Sequence, residues 1–225
     1  MTDVQKGATT GSHHTHTDPE MHHASWRRVA RALGVTAVLT GLAWMADGWV
    51  YAHWDDPKVY DRDWGRLLRI IGFLGTWLAL AVAIALQEGA EPARRVLAKR
   101  RASLLFWSAA LGGLVAELGK LVIRRERPEP NDGVHAFRNW ADRTWSSAGL
   151  AMPSSHTLVA FAGAAMLARL YPRARWVGYA LAVGCGLTRV MARAHFLSDV
   201  VLAAGLGWAV AAVLVRWWPI QEPRT

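Results

Sequence analysis

The chain has 225 residues, 52% of them hydrophobic and 19% charged, with 13 tryptophans and a formal net charge of +9 at pH 7. A soluble domain of this length needs more polar cover, so a small secreted domain is excluded. A basic balance in so apolar a chain points to a membrane or a phosphate-bearing partner before nucleic acid. The lone cysteine, Cys185, excludes an intramolecular disulfide framework and a cysteine-based zinc cluster.

Residues 1–29 read as a polar tail, with His13, His14, His16, His22 and His23 among Gly, Thr, Ser and Asp and no apolar period. The tail is not a signal peptide, because the apolar run begins late and no small-residue cleavage site follows it. Six apolar stretches come next, at 32–51, 67–86, 104–123, 157–171, 176–191 and 200–218. A membrane-spanning helix needs about 20 residues, which the fourth and fifth stretches reach only with their flanks. Gly72, Gly75, Gly112, Gly113, Gly163, Gly184, Gly186, Gly205 and Gly207 suit helices packed closely in a bilayer. Trp49, Trp54, Trp64, Trp217 and Trp218 near the ends suit an interfacial belt. The expected fold is all-α: a six-transmembrane-helix bundle in one domain over 30–218, with a short C-terminal tail at 219–225.

Arg94, Arg95, Lys99, Arg100 and Arg101 in the 87–103 connection, with Arg173 and Arg175 in the 172–175 connection, outweigh the mixed charges at 52–66. The positive-inside bias places both termini in the cytoplasm. The connection from 124 to 155, rich in proline and charge, is long enough to carry function.

Asp47, Glu117, Lys120, Arg189 and Arg193 lie inside or at the ends of apolar runs. An ionisable residue at a helix centre costs roughly 2.5–3.5 kcal/mol on insertion scales. Asp47, near a helix end, is expected to snorkel; Glu117 and Lys120, three apart, can meet on one helix face. Alternating helices bring the end of the third span, the start of the fourth and the fifth–sixth connection to one membrane face. Lys120, Arg127, Ser154, Ser155, His156, Arg189, His195 and Asp199 therefore converge on the face opposite the cytoplasm.

Lys120 and Arg127 are two helical turns apart and share a face if the helix continues. With Arg189 they concentrate positive charge that repels metal cations and attracts a multiply charged anion. The arginine fork matches phosphate oxygens. Pro153, Ser154, Ser155 and His156 open a helix whose free N–H groups bind anions readily. His195 and Asp199, four apart, can meet on a helical turn, so the carboxylate holds one ring nitrogen and leaves the other to attack phosphorus. His156 can protonate the leaving oxygen and then activate water.

These residues resemble the three-part signature of the type-2 phosphatidic acid phosphatase superfamily, the lipid phosphate phosphatases. Lys, six residues, Arg-Pro is matched by Lys120 through Arg127-Pro128. Pro-Ser-Gly-His appears as Pro153-Ser154-Ser155-His156, with serine for glycine. Ser-Arg, five residues, His, three residues, Asp appears as Thr188-Arg189, His195 and Asp199, with threonine for serine. The resemblance covers about residues 104–218. It implies a six-helix bundle and metal-independent, cofactor-free hydrolysis of phosphomonoesters or pyrophosphates. It further implies a phosphohistidine on His195, oriented by Asp199, with His156 as acid and base. Lys120, Arg127, Ser154, Ser155 and Arg189 would bind phosphate. Glu117, Arg124, Arg125 and Arg193 fall outside the signature and read as supporting charges.

The expected partners are the bilayer and a phospholipid or polyprenyl phosphate substrate: undecaprenyl pyrophosphate, phosphatidic acid or phosphatidylglycerophosphate. The first suits an outward-facing site. A phosphotransferase using the same histidine and a non-enzymatic lipid or anion transporter are the alternatives. No aromatic-interleaved basic stripe suggests nucleic acid.

Overall fold

The computed structural model describes residues 19–219, with side chains from Trp26 onward. The described residues are helical, with no strand: α1 (Pro19–His53), α2 (Asp63–Ile70), α3 (Leu74–Gly89), α4 (Arg95–Ile123), α5 (Ser155–Leu170), α6 (Arg175–Met191) and α7 (Leu197–Trp217). Helix α1 begins inside the segment that reads as a tail, and takes in the backbone of His22 and His23. Residues 1–18, with His13, His14 and His16, lie outside the described residues, as does all but Pro219 of the C-terminal tail.

Three stretches, Trp26–His53, Pro92–Ile123 and Leu197–Trp217, are long and apolar enough to cross a membrane. Helices α2 and α3 make a fourth if taken as one span bent by 71°. The expected second span is thus interrupted at residues 71–73. The expected fourth and fifth spans, α5 and α6, fall outside that count for a simple reason of length. Sixteen residues of α5 rise only about 24 Å, less than the roughly 30 Å of a hydrocarbon core. Side chains on α1 face outward without polar cover: Val35, Val38, Leu42 and Trp49 are exposed and Met45 is 83% exposed, as a lipid-facing surface requires.

Helix α5 is the central rod, packed against α4, α6 and α7; α1 lies on α7, α3 on α4 and α2 on α6. Leu158, Ala160, Ala162, Ala164, Ala165 and Met166 of α5 are fully buried. Small residues permit the close approach. A Cβ on Gly163 would sit 2.3 Å from the Trp77 ring, itself held by its indole N–H donating to the Ile71 carbonyl at 2.9 Å. A Cβ on Gly207 would meet the Leu158 carbonyl oxygen at 2.7 Å, backbone against backbone. Gly207→Ala is therefore expected to lose about 1–3 kcal/mol, the cost of overpacking. Thermal unfolding in detergent should show a lower Tm; an unchanged Tm would mean that α5 and α7 separate freely there.

Candidate active site

The end of α4, the start of α5, the end of α6 and the start of α7 meet at one end of the bundle, and the eight expected site residues lie there on those ends and the connections between them. Helix α4 does not run on to Arg127. It stops at Ile123, where Arg124 adopts a left-handed conformation (φ 58°) and its N–H donates to the Lys120 carbonyl at 2.8 Å. Beyond it the chain is extended, and Arg125 and Glu126 form isolated bridges with Phe137 and Leu150. The shared helical face expected for Lys120 and Arg127 is replaced by a turn. The long connection wraps the buried Arg124 guanidinium, which donates to the carbonyls of Arg138, Asn139, Asp142 and Thr144 and lies under the Trp140 ring. Trp145 on the same connection is 89% exposed.

Lys120 is buried, and its ammonium donates to Glu117 Oε1 at 3.0 Å and to the Ser155 hydroxyl. The Ser155 hydroxyl in turn donates to Glu117 Oε1 at 2.7 Å, and Ser147 donates to the other carboxylate oxygen. The serine that stands for glycine in the second motif thus ties Lys120 to Glu117. Ser154 occupies the N-cap of α5 in extended conformation, but its hydroxyl does not cap the helix. It is fully buried and accepts from the Thr157 hydroxyl at 3.0 Å.

Arg189 is buried at the end of α6, and its Nη1 donates to the Tyr60 hydroxyl at 2.9 Å. That hydroxyl donates onward to the Thr188 carbonyl at 3.0 Å. Tyr60 comes from the connection before α2, and nothing in the sequence pattern marks it. Arg127, half-buried, has no hydrogen-bonding side-chain partner among the described residues, and its Nε is orphaned. Burial and the nearby charge of Arg189 push its pKa below the ordinary value, strain that a bound anion would relieve.

His195 lies in the turn before α7 rather than on a helix. Asp199, at the third position of α7, reaches back to accept the Phe196 N–H at 2.8 Å, the carboxylate half of a capping box. That places its Oδ2 3.6 Å from His195 Nδ1, facing the ring without a formed hydrogen bond. Burial, then the charges of Arg189, Lys120 and Arg127, hold the His195 pKa well below the ordinary histidine range, so the ring is neutral at pH 7. The preceding turn passes through Arg193 in left-handed conformation (φ 54°), pinned by its ion pair with Asp55 at 2.9 Å. His156, on the first turn of α5, has an orphaned Nε2 and packs edge-on to the Phe73 ring at 5.0 Å. Gly72 permits this, since a Cβ there would fall 2.6 Å from the His156 Cβ.

Two residues that the sequence marks only as a snorkelling end residue and a supporting charge, Asp47 and Arg125, hold the site residues in place. Asp47 does not snorkel. It is 1% exposed, and its carboxylate accepts Arg125 Nη2 at 2.8 Å, the Ser198 N–H at 2.9 Å and the Ser198 hydroxyl. Arg125 is more than a supporting charge. It is fully buried, donates also to Asp199 Oδ1 at 3.1 Å and Ser198 Oγ at 2.6 Å, and is sandwiched between the Trp44 and Phe196 rings at 4.1 and 3.8 Å. His135 approaches Asp47 at 3.4 Å; burial first and then Arg125 push its pKa down, so it stays neutral. An acidic residue inside an apolar run was the available signal for Asp47.

Comparison with known proteins identifies the family. The family model for the PAP2 superfamily matches residues 101–222. A lipid A 1-phosphatase of Rhizobium johnstonii is 37% identical over 103 residues, 46% of this chain and 42% of its own. One of Rhizobium etli is 36% identical over 105 residues, 46% of this chain and 44% of its own. The matched region is therefore less than half the length of either relative. The structure of a transmembrane PAP2-type phosphatidylglycerolphosphate phosphatase from Bacillus subtilis superposes with a TM-score of 0.56 at 17% identity, over 89% of this chain and 98% of that one. That likeness is one of fold. With over half the chain matched by the family model, this protein belongs to the PAP2 superfamily.

Proposed function

We propose that this protein hydrolyses lipid phosphates or diphosphates through a phosphohistidine on His195, without a metal. The observation that carries this reading is the convergence of two histidines with Lys120, Arg127 and Arg189, cations drawn from three separate chain segments. His195 Nδ1 faces Asp199, so Nε2 attacks phosphorus. As the phosphorus–nitrogen bond forms, the bond to the leaving oxygen breaks, and His156 delivers a proton to that oxygen. His156 then takes a proton from water, which attacks phosphorus and releases inorganic phosphate with His195 restored. Lys120, Arg127, Arg189, Ser155 and the N–H groups opening α5 hold the phosphoryl oxygens as charge builds on them. The buried Ser154 shapes the α5 N-terminus through its backbone.

Six membrane-crossing rods complete the reading, with α5 and α6 spanning together with the flanking turns. The Lys and Arg bias of the loops puts both termini in the cytoplasm and the site on the outer face. Undecaprenyl pyrophosphate, phosphatidic acid and phosphatidylglycerophosphate are candidate substrates, and the lipid A 1-phosphatase relatives add the 1-phosphate of lipid A. In each, the head group reaches an interfacial site while the tails remain in lipid. Purified protein in detergent, given these four lipids with excess chelator, is expected to release phosphate from at least one. Full loss of release on chelation would overturn metal independence. Release only in the presence of an added alcohol acceptor would make the protein a phosphotransferase.

A further inference from the structure

The cations of the three-part signature all come from the C-terminal half of the chain, but the structure adds one from α2. Arg69 lies on the last turn before the break between α2 and α3, and its carbonyl accepts the Gly72 N–H at 3.0 Å. That break presses Gly72 and Phe73 against His156. The Arg69 guanidinium lies 4.9 Å from the Tyr60 ring centroid and 5.9 Å from that of Phe73. The Arg189 guanidinium lies 5.7 Å from the same Tyr60 ring and donates to its hydroxyl. Arg69 is thus one ring away from a phosphate-cradle arginine and one ring away from His156.

Among the described residues, the Arg69 side chain has no carboxylate, carbonyl or hydroxyl partner; its contacts are the two aromatic faces, and its Nε is buried and orphaned. Partly buried guanidinium groups are normally paired. Structural arginines of this chain show as much: Arg124 has its carbonyls, Arg125 its two aspartates and Arg193 its Asp55. Arg127 shares the unpaired condition of Arg69, and the two flank different histidines. The cations near His195 are Arg189, Lys120 and Arg127, whereas those near His156 are Arg189, Arg69 and Lys120. Through the Phe73 ring packed on His156, Arg69 lies on the leaving side.

We propose that Arg69 binds the phosphate that remains on the lipid when a diphosphate is cleaved, making diphosphate lipids the preferred substrate class. This deepens the phosphatase reading and rests on it. When His195 Nε2 attacks the terminal phosphorus, the bridging phosphorus–oxygen bond breaks and its electron pair stays on the bridging oxygen. The lipid monophosphate gains that charge next to His156, where Arg69 can meet it with a charge-assisted hydrogen bond. A monoester leaves as an alcohol and presents no second phosphate there.

The test compares kcat/KM for a polyprenyl diphosphate and the monophosphate of the same tail, in wild type, Arg69→Gln and Arg69→Lys. The expected result is a loss of about 10- to 100-fold on the diphosphate in Arg69→Gln, as for a hydrogen bond to a charged group. The monophosphate should change less than about threefold, and Arg69→Lys should recover part of the loss because it retains the charge. Equal losses on both substrates, or no loss on either, would overturn the proposal. Thermal stabilisation by inorganic pyrophosphate and inorganic phosphate provides a readout independent of turnover. Pyrophosphate should stabilise wild type more than phosphate does, and Arg69→Gln should erase that difference. If wild type hydrolyses neither lipid, the phosphatase reading fails on its own. The pyrophosphate shift then still decides whether Arg69 reads a second phosphate, and its absence would overturn that too.

Discussion

Replacing His195 with alanine is expected to lower turnover by roughly 10⁴- to 10⁶-fold, the scale seen when a covalent nucleophile is removed. The ring sits at the end of a short turn, 4% exposed, and Asp199 faces Nδ1 at 3.6 Å. Its depressed pKa keeps the ring neutral, with a nitrogen lone pair available at neutral pH. The Asp199 contact is long for a hydrogen bond. In the proposed mechanism this contact tightens when substrate arrives, because the ring would become positively charged as the phosphorus–nitrogen bond forms. Brief incubation with a lipid labelled at its phosphate should leave an acid-labile, base-stable label on wild type and none on His195→Ala. His156→Ala should slow both half-reactions, by roughly 10²- to 10⁴-fold. A labelled His195→Ala protein, or one that turns over normally, would move the nucleophile elsewhere.

Arg125→Ala is expected to destabilise the fold by about 3–5 kcal/mol, the cost of leaving a buried charge without its partner. Two carboxylates, Asp47 and Asp199, would remain in a fully buried setting with no guanidinium between them. The stacking on Trp44 and Phe196 would be lost as well. For a chain of this size the Tm in detergent should fall by on the order of 10 °C. Arg125→Met combined with Asp47→Ala should recover part of the drop, since an apolar replacement removes both charges of that pair. An Arg125→Ala protein with wild-type Tm would show that water reaches the pair and that its burial is not maintained. Activity should fall further than stability alone explains, because Arg125 and the Phe196 N–H together fix the carboxylate that faces His195.

The character of this protein was legible in the sequence because the signals are local or counted along the chain. Long apolar runs mark membrane helices by composition, and alternation of those runs brings three distant motifs to one end of the bundle. The spacing of Lys120 to Arg127, Pro153 to His156 and Arg189 to Asp199 carried the family, since each motif lies within one short segment. What the sequence misjudged turned on where helices stop. Lys120 and Arg127 do not share a helix because Arg124 enters the left-handed region, and His195 does not share a helical turn with Asp199 because α7 begins two residues after it.

Only the tertiary structure decided which residues from the first half of the chain take part. Asp47 read as a snorkelling end residue because sequence position measures depth along a helix and not which face meets a neighbour. Packing of α1 on α7 turns that face inward, toward Arg125 and Ser198. Tyr60 belongs to a connection and holds Arg189, while Arg69 and Gly72 belong to a broken span whose break sets Gly72 and Phe73 against His156. Chemistry-bearing residues close in sequence announce themselves by spacing. Residues that orient them across the bundle are recognised only when packing, and the demand that every buried charge find a partner, bring them into contact.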